Sequence, residues 1–233
     1  MSLDWIDVTE LSFNTLLLLE RVQLSWFPGW LPEGELAVAL CANPPVEWYM
    51  RHKCPELEEW LDGVMARLPE AASETRVREA ECAILHSIND LVVYAVVPGV
   101  YDAQPFMGWD SRELTSLVDF EGRTVLDIGS GSGRLAFVAS AQGATVYCVE
   151  PVGNLRRYIK DRARRRGLEI FAVDGIITDI PFPKEFADVT MGGHVFGDAP
   201  EEEIAELCRV TRAGGMVILC PGSSDKEDEA HAA

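Results

Sequence analysis

The sequence predicts a doubly wound, mostly parallel α/β sheet preceded by an N-terminal helical region, on three observations. From residue 123 onward, short apolar runs alternate with helix-like stretches, the order that successive βαβ units require. The first of these runs passes straight into Gly-Ser-Gly-Ser-Gly, with glycines at 129, 131 and 133. An acid, Glu150, closes the next apolar run, 17 residues beyond Gly133.

Taken in order, the elements begin with helical periodicity over 11–24, 33–41, 55–68 and 73 to about 94. Pro28-Gly29, Pro32, Pro44-Pro45, Pro55, Pro69 and Pro98-Gly99 punctuate this part, which favours several short helices over one long bundle. Asn43-Pro44-Pro45 ends one helix and opens the next, because a residue before proline is steered out of the helical region and proline fits the first helical position. The β-branched run 91–97 is a candidate sheet edge, with helix its preferred state. Strands are expected at 124–128, 145–149, 169–173, 187–191 and 216–220, and helices at 134–141, 153–166 and 200–211. The last helix opens on acids, where the helix dipole favours them. The domain expectation is a mainly helical region over 1–110, serving as lid and substrate selector, and a sheet domain over 111–233.

Composition narrows the function. Against 20 basic residues stand 38 acidic ones, a formal charge of −18. Up to residue 120 the counts are 20 acidic and 7 basic, and beyond it 18 and 13, so the two parts carry −13 and −5. Such a balance repels phosphate backbones and anionic membrane surfaces, which disfavours broad nucleic-acid binding. A 48% hydrophobic content supports a folded globule rather than a disordered chain. The first twenty residues lack a basic start, and their longest apolar run, 16–19, is too short for a secretory signal. No stretch approaches the roughly 18 to 20 apolar residues that a bilayer crossing needs. Six cysteines without a CxxC pair suit reduced thiols, so a cytoplasmic location is expected.

The glycine turn carries the chemistry. Glycine lets a ligand and the backbone approach closely, and Ser130 and Ser132 keep the loop polar beside a helix N-terminus, suited to a carboxylate or an amine. The dinucleotide fingerprint GxGxxG would place glycine at 134, where this chain has Arg134, and that weakens a nicotinamide reading. A carboxylate at the tip of the second strand, Glu150, can accept from both hydroxyls of a ribose and repels a 2′-phosphate. Glycine turns also simply close tight strand-to-helix joints, but strand, loop, helix, strand and acid arrive here in the order that binding needs.

With these motifs in place, residues 120–222 resemble the class I S-adenosylmethionine-dependent methyltransferases of the small-molecule type. Val125-Leu-Asp-Ile-Gly-Ser-Gly-Ser-Gly133 matches that family's first motif and Val149-Glu150-Pro151 its second. Phe171-Ala-Val-Asp-Gly175 looks like the third, with Ile180-Pro-Phe-Pro183 after it, and Phe186-Ala-Asp-Val-Thr-Met191 like the fourth strand. Leu207 to Met216 resembles the helix and Gly-Gly turn before the fifth. The resemblance implies a Rossmann-like fold and S-adenosylmethionine as cofactor, leaving as S-adenosylhomocysteine. It also implies that Gly129, Ser130, Gly131 and Gly133 line the methionine part, with Asp127 holding the loop or the amino group. Glu150 would bind the ribose and Asp174 the adenine amino group. Pro151, Val152, Gly175 and Ile176 would flank the ring, and Gly192 and His194 would face the reactive centre.

His194 is the best-placed base, because an imidazole titrates near neutrality; a structural hydrogen bond after a strand explains it equally well. Asp174-Gly175 also reads as an ordinary turn. Tyr101, Phe106 and Trp109 are candidates to cover a sulfonium through their ring faces, or else to anchor a core. His52, Cys54, Cys82 and His86 offer four metal-ligating side chains, but their spacing fits no zinc module, so no metal is expected. Seven of the twenty basic residues fall between Arg156 and Arg166, and a solvated or acid-paired face is favoured there over an RNA surface.

The family's sheet usually continues past the fifth strand with a helix and an antiparallel pair, whereas this chain reads a helix start after residue 222 and stops. An uncovered fifth strand is a pairing edge, which raises the prospect of a homodimer. The expected function is methyl transfer to a small-molecule acceptor. Its rivals are a non-catalytic S-adenosylmethionine-binding regulatory module, an RNA or protein methyltransferase working through the 156–166 helix, and last an NAD-linked dehydrogenase.

Overall fold

Proline and glycine cut the first hundred residues into short helices, as their spacing suggests. The computed structural model describes residues 5–67, 72–104, 108 and 110–220. The chain divides into two units, Met1–Tyr101 and Asp102–Ala233. The first holds 3₁₀ turns at Phe13–Leu18 and Pro55–Leu57 with helices α1 (Arg21–Ser25), α2 (Glu33–Ala42), α3 (Pro44–Lys53), α4 (Glu58–Met65), α5 (Glu74–Ser87) and α6 (Asn89–Val96). Helix α7 (Pro98–Asp102) follows. Pro44 opens α3 directly after α2 ends, and the 91–97 run lies largely within α6 as helix.

Two predicted helices are broken, each for a local reason. The 11–24 stretch leaves the helix at Leu19 and Glu20, where Glu20 and Gln23 exchange side-chain-to-backbone bonds that start α1 afresh. The 73–94 stretch breaks at Ile88, beside a buried Asn89 whose side chain accepts from the Trp5 and Ile6 amides and donates to the Ile6 carbonyl. Helix α2 is the centre of this unit: Leu36 to Leu40 are buried in succession, so it is enclosed rather than amphipathic.

In the second unit a short α8 (Arg112–Thr115) precedes β1 (Thr124–Ile128), α9 (Arg134–Ala141), β2 (Thr145–Val149), α10 (Gly153–Arg166), β3 (Ile170–Val173), β4 (Ala187–Gly193), α11 (Pro200–Val210) and β5 (Thr211–Cys220). The sheet is parallel throughout, in the order β3-β2-β1-β4-β5. Alternate residues face opposite layers. Val125, Val146, Cys148, Ile170, Ala172, Val189 and Met191 pack toward Phe137, Ile159 and Ala163 of α9 and α10. Leu126, Ile128 and Val149 point the other way, with Leu207 and Val210 of α11. No helix forms between β3 and β4; there Phe182 and Phe186 stack 4.6 Å apart and both meet Tyr147 edge-on, covering the sheet with rings instead.

Strand β5 begins five residues earlier than the sequence suggests. Thr211 pairs with Ala187 and Met216 with Val189, so the Gly214-Gly215 turn is absorbed into a bulge. A side chain at Gly215 would sit 2.8 Å from the Asp188 carbonyl, which is why glycine is needed there. Asp188 itself accepts from the Thr124 amide at 2.7 Å and pairs with Arg212, tying the feet of three strands together. The helix start expected beyond residue 222 lies outside the described residues.

Candidate active site

The register fixes what gathers at the carboxyl edge of the sheet. Ile128 lies beside Val149 on one side and Gly192 on the other, and Val149 beside Val173. The residues just after these strands, Gly129, Glu150, Asp174 and His194, therefore emerge along one edge, where ligands of open parallel sheets bind.

Glu150 is 4% exposed, and both its oxygens are held by backbone amides: Oε2 accepts from Gly131 at 2.8 Å and Oε1 from Val152 at 2.9 Å. Burial pushes its carboxyl up to about 7, against the pull of those two amides and of the nearby Arg156 charge. Asp127, 1% exposed, accepts from the Ala136 amide at 3.0 Å in the first turn of α9. Burial raises it to about 8, and the Glu150 charge adds to the rise. The Ser130 hydroxyl donates to the Asp127 carbonyl at 2.6 Å, so Ser130 braces the turn. The sequence-named Asp127, Gly129, Ser130, Gly131, Glu150 and Gly192 thus converge.

The named glycines have different local duties. Gly129 has φ +61°, and a Cβ there would collide with Val195 Cγ1; one at Gly192 would lie 2.8 Å from Val195 Cγ2. Gly133, φ +84°, would press a Cβ against Phe137 and Ile159, so its need is close packing of α9 on α10. Gly175 is hemmed in by Pro181 and Val149. Gly131, φ +54°, is the residue whose amide reaches Glu150.

Toward the outer side of this edge, Asp174 pairs with Arg156 at 2.8 Å, and the same guanidinium donates to the Glu150 carbonyl at 2.6 Å. Pro151 is half-buried, Val152 buried and Ile176 exposed. His194 is exposed at the end of β4 in a left-handed conformation, φ +58°, with its amide donating to the Cys220 carbonyl. Behind the loop, Ser132 donates to Asp102 at 2.6 Å, and Arg162 donates to the Ser132 carbonyl while pairing with Asp102. Sequence reasoning missed Val195 and Asp102, and it read Arg156 and Arg162 only as members of a solvated or acid-paired face. Arg156 also stands one turn into the helix after Glu150, whereas Val195 and Asp102 carried no signal.

The remaining candidates lie elsewhere. Tyr101 packs edge-on to Tyr94 at 4.8 Å within the first unit, while Phe106 and Trp109 lie outside the described residues. His52 stacks on Trp48, and Cys54 is buried. Among the described residues no group of three metal-ligating side chains forms, and no helix is long and apolar enough to cross a membrane. In α10, Arg156, Arg162 and Arg164 pair with acids of the second unit itself, Asp174, Asp102 and Asp161.

The donor set fits a nucleoside with adjacent hydroxyls. A carboxylate offers about four lone-pair sites, of which Glu150 uses two, leaving about two for a diol at a strand tip. Ser130, the Gly131 region and the α9 N-terminus supply a polar wall for a zwitterionic tail.

Part of the chain is similar to known methyltransferases. Residues 126–219 match the family described as "Methyltransferase domain". An uncharacterized methyltransferase of Geobacillus thermodenitrificans is 33% identical over 135 residues, 54% of this chain and 61% of that protein. A cypemycin N-terminal methyltransferase of a Streptomyces species is 32% identical over 135 residues, 56% of this chain and 51% of that protein. A solved structure from Methanococcus maripaludis, described as a putative S-adenosyl-L-methionine-dependent methyltransferase, aligns at TM-score 0.46 and 21% identity, covering 55% of this chain and 60% of its own. The chain thus spans between about half and six-tenths of the length of these relatives.

Proposed function

We propose that this chain, whose residues 126–219 match a methyltransferase-domain family, is a class I S-adenosylmethionine-dependent methyltransferase, and that the protein as a whole transfers a methyl group to a small-molecule acceptor in the cytoplasm. The observation that carries the reading is the contact between Gly131 and a buried Glu150, which joins the glycine turn and the strand-tip acid into one cradle. When bound, S-adenosylmethionine supplies an electrophilic methyl carbon on its sulfonium. Glu150 holds the ribose hydroxyls on its remaining lone pairs, while Gly129, Ser130, Gly131 and the α9 end, steadied by Asp127, hold the methionine part.

Pro151, Val152, Gly175 and Ile176 flank the base, and Asp174 meets its amino group once Arg156 yields that carboxylate. Gly192 stands at the reacting end, where the absence of a side chain lets Val195 pack against the strand. His194, at the mouth of β4, takes the acceptor's proton if the acceptor arrives protonated, and otherwise positioning suffices. The small-molecule class rests on charge, because a polyanionic acceptor would meet −13 in the first 120 residues.

Calorimetry with S-adenosylhomocysteine tests the cofactor part. Native protein binds it, and Glu150→Gln and Glu150→Ala weaken binding by about 1.5 to 3 kcal/mol, the range for hydrogen bonds to a charged acceptor. No binding by the native chain, or full affinity in both variants, refutes the cradle. A screen over phenols, amines, thiols and carboxylates, read as S-adenosylhomocysteine release, identifies the acceptor atom.

A further inference from the structure

A concave site adjoins the back of the glycine turn, and neither Gly129, Gly131, Glu150 nor Asp174 lines it. It is a cavity of about 470 Å³ between α8, α9 and α10, within the size range of small-ligand sites. Four arginines line it, Arg112, Arg134, Arg162 and Arg166, against one acid, Asp102. Its floor is the Phe137 ring, and both Arg162 and Arg166 hold their guanidinium carbons 4.7 Å from that ring's centre.

This convergence needs an explanation in a chain of charge −18. Asp102 neutralises Arg162, and Asp110, from outside the cavity lining, grips Arg112. Among the described residues no carboxylate forms an ion pair with Arg166, although its neighbours in α10 are basic. Holding two guanidinium groups against one ring costs mutual repulsion, which a nearby anion relieves. Ser111 and Thr115, at the rim from α8, add hydroxyls to the fork-shaped donors, a set suited to a tetrahedral oxyanion carrying two charges.

We propose that this cavity is a binding site for the phosphoryl group of a small molecule, with Arg166, Arg134 and Arg112 as anion contacts and Phe137 as the floor. The ligand is small because the cavity holds only about 470 Å³ and the chain as a whole carries −18, so a long phosphate backbone would run into repulsion. Arg162 links the site to the glycine turn through the Ser132 carbonyl.

The test uses the full chain, titrated calorimetrically with inorganic phosphate and with pyrophosphate at constant ionic strength. Saturable binding is expected, weakened about tenfold in Arg166→Gln and in Arg112→Gln, the loss of one charge-assisted hydrogen bond. S-adenosylhomocysteine affinity stays unchanged in both variants, which separates this site from the candidate cradle. Heats equal to dilution, or native affinity in both variants, overturn the proposal. Citrate binding as tight as pyrophosphate overturns the phosphoryl assignment. An RNA oligonucleotide that binds far more tightly than pyrophosphate and is lost in the same variants overturns the small-ligand assignment.

Discussion

Glu150 concentrates the chemistry of the candidate site in one carboxyl group. Its titration lies near 7 because burial outweighs two amide hydrogen bonds, and ribose hydroxyls would add donors that favour the charged form. On the proposed reading, cofactor binding lowers that pKa and expels a proton from the fraction still protonated. Affinity for S-adenosylhomocysteine is expected to rise about tenfold from pH 6 to pH 8, with about half a proton released per site at pH 7. Calorimetry in two buffers of different ionisation enthalpy reads both quantities. A flat profile, or the same slope in Glu150→Gln, removes Glu150 from the ribose contact. The acid itself was legible in the sequence from its place at the strand end. Its two amide partners were not, because they depend on how the turn folds back over the strand tip.

The strand–turn–helix from Thr124 to Ala141 shows how an element does more than its motif states. Its glycines read alike in sequence, yet Gly129 is shaped by Val195 from a loop 66 residues later and Gly133 by α10. Gly129→Ala places a methyl group on Val195 and imposes a left-handed conformation on a residue that disfavours it. A loss of about 2 to 4 kcal/mol in urea unfolding is expected. Adding Val195→Ala should return part of it, and a double variant no more stable than Gly129→Ala would show that the contact is not the cause. The strands were legible because buried parallel strands are short apolar runs. The β5 bulge and the breaks at Glu20 and Ile88 were not, since each is set by a partner distant in sequence or by a side chain turned onto the backbone.

Across the whole molecule, the two buried carboxyls set a stability slope. Asp127 titrates near 8 and Glu150 near 7, both above their ordinary values, so the native state holds protons that the unfolded chain has released. The stability they contribute is fully present below about pH 4 and is lost as pH rises through 7 to 8. Urea midpoints are therefore expected to fall between pH 5 and pH 8.5, and Asp127→Asn should flatten the fall. An unchanged slope in that variant would assign it to general self-repulsion of an acidic chain. By itself, the sequence determined the parallel sheet, the glycine turn, the strand-tip acid and the acidic helical first part, because local periodicity and turn chemistry encode them. Tertiary structure alone decided that Glu150 is gripped by two amides, that Arg156 joins Asp174 to the same strand end, and that four arginines share one cavity. Those facts depend on which residues, far apart along the chain, the register of five strands brings within a few ångströms.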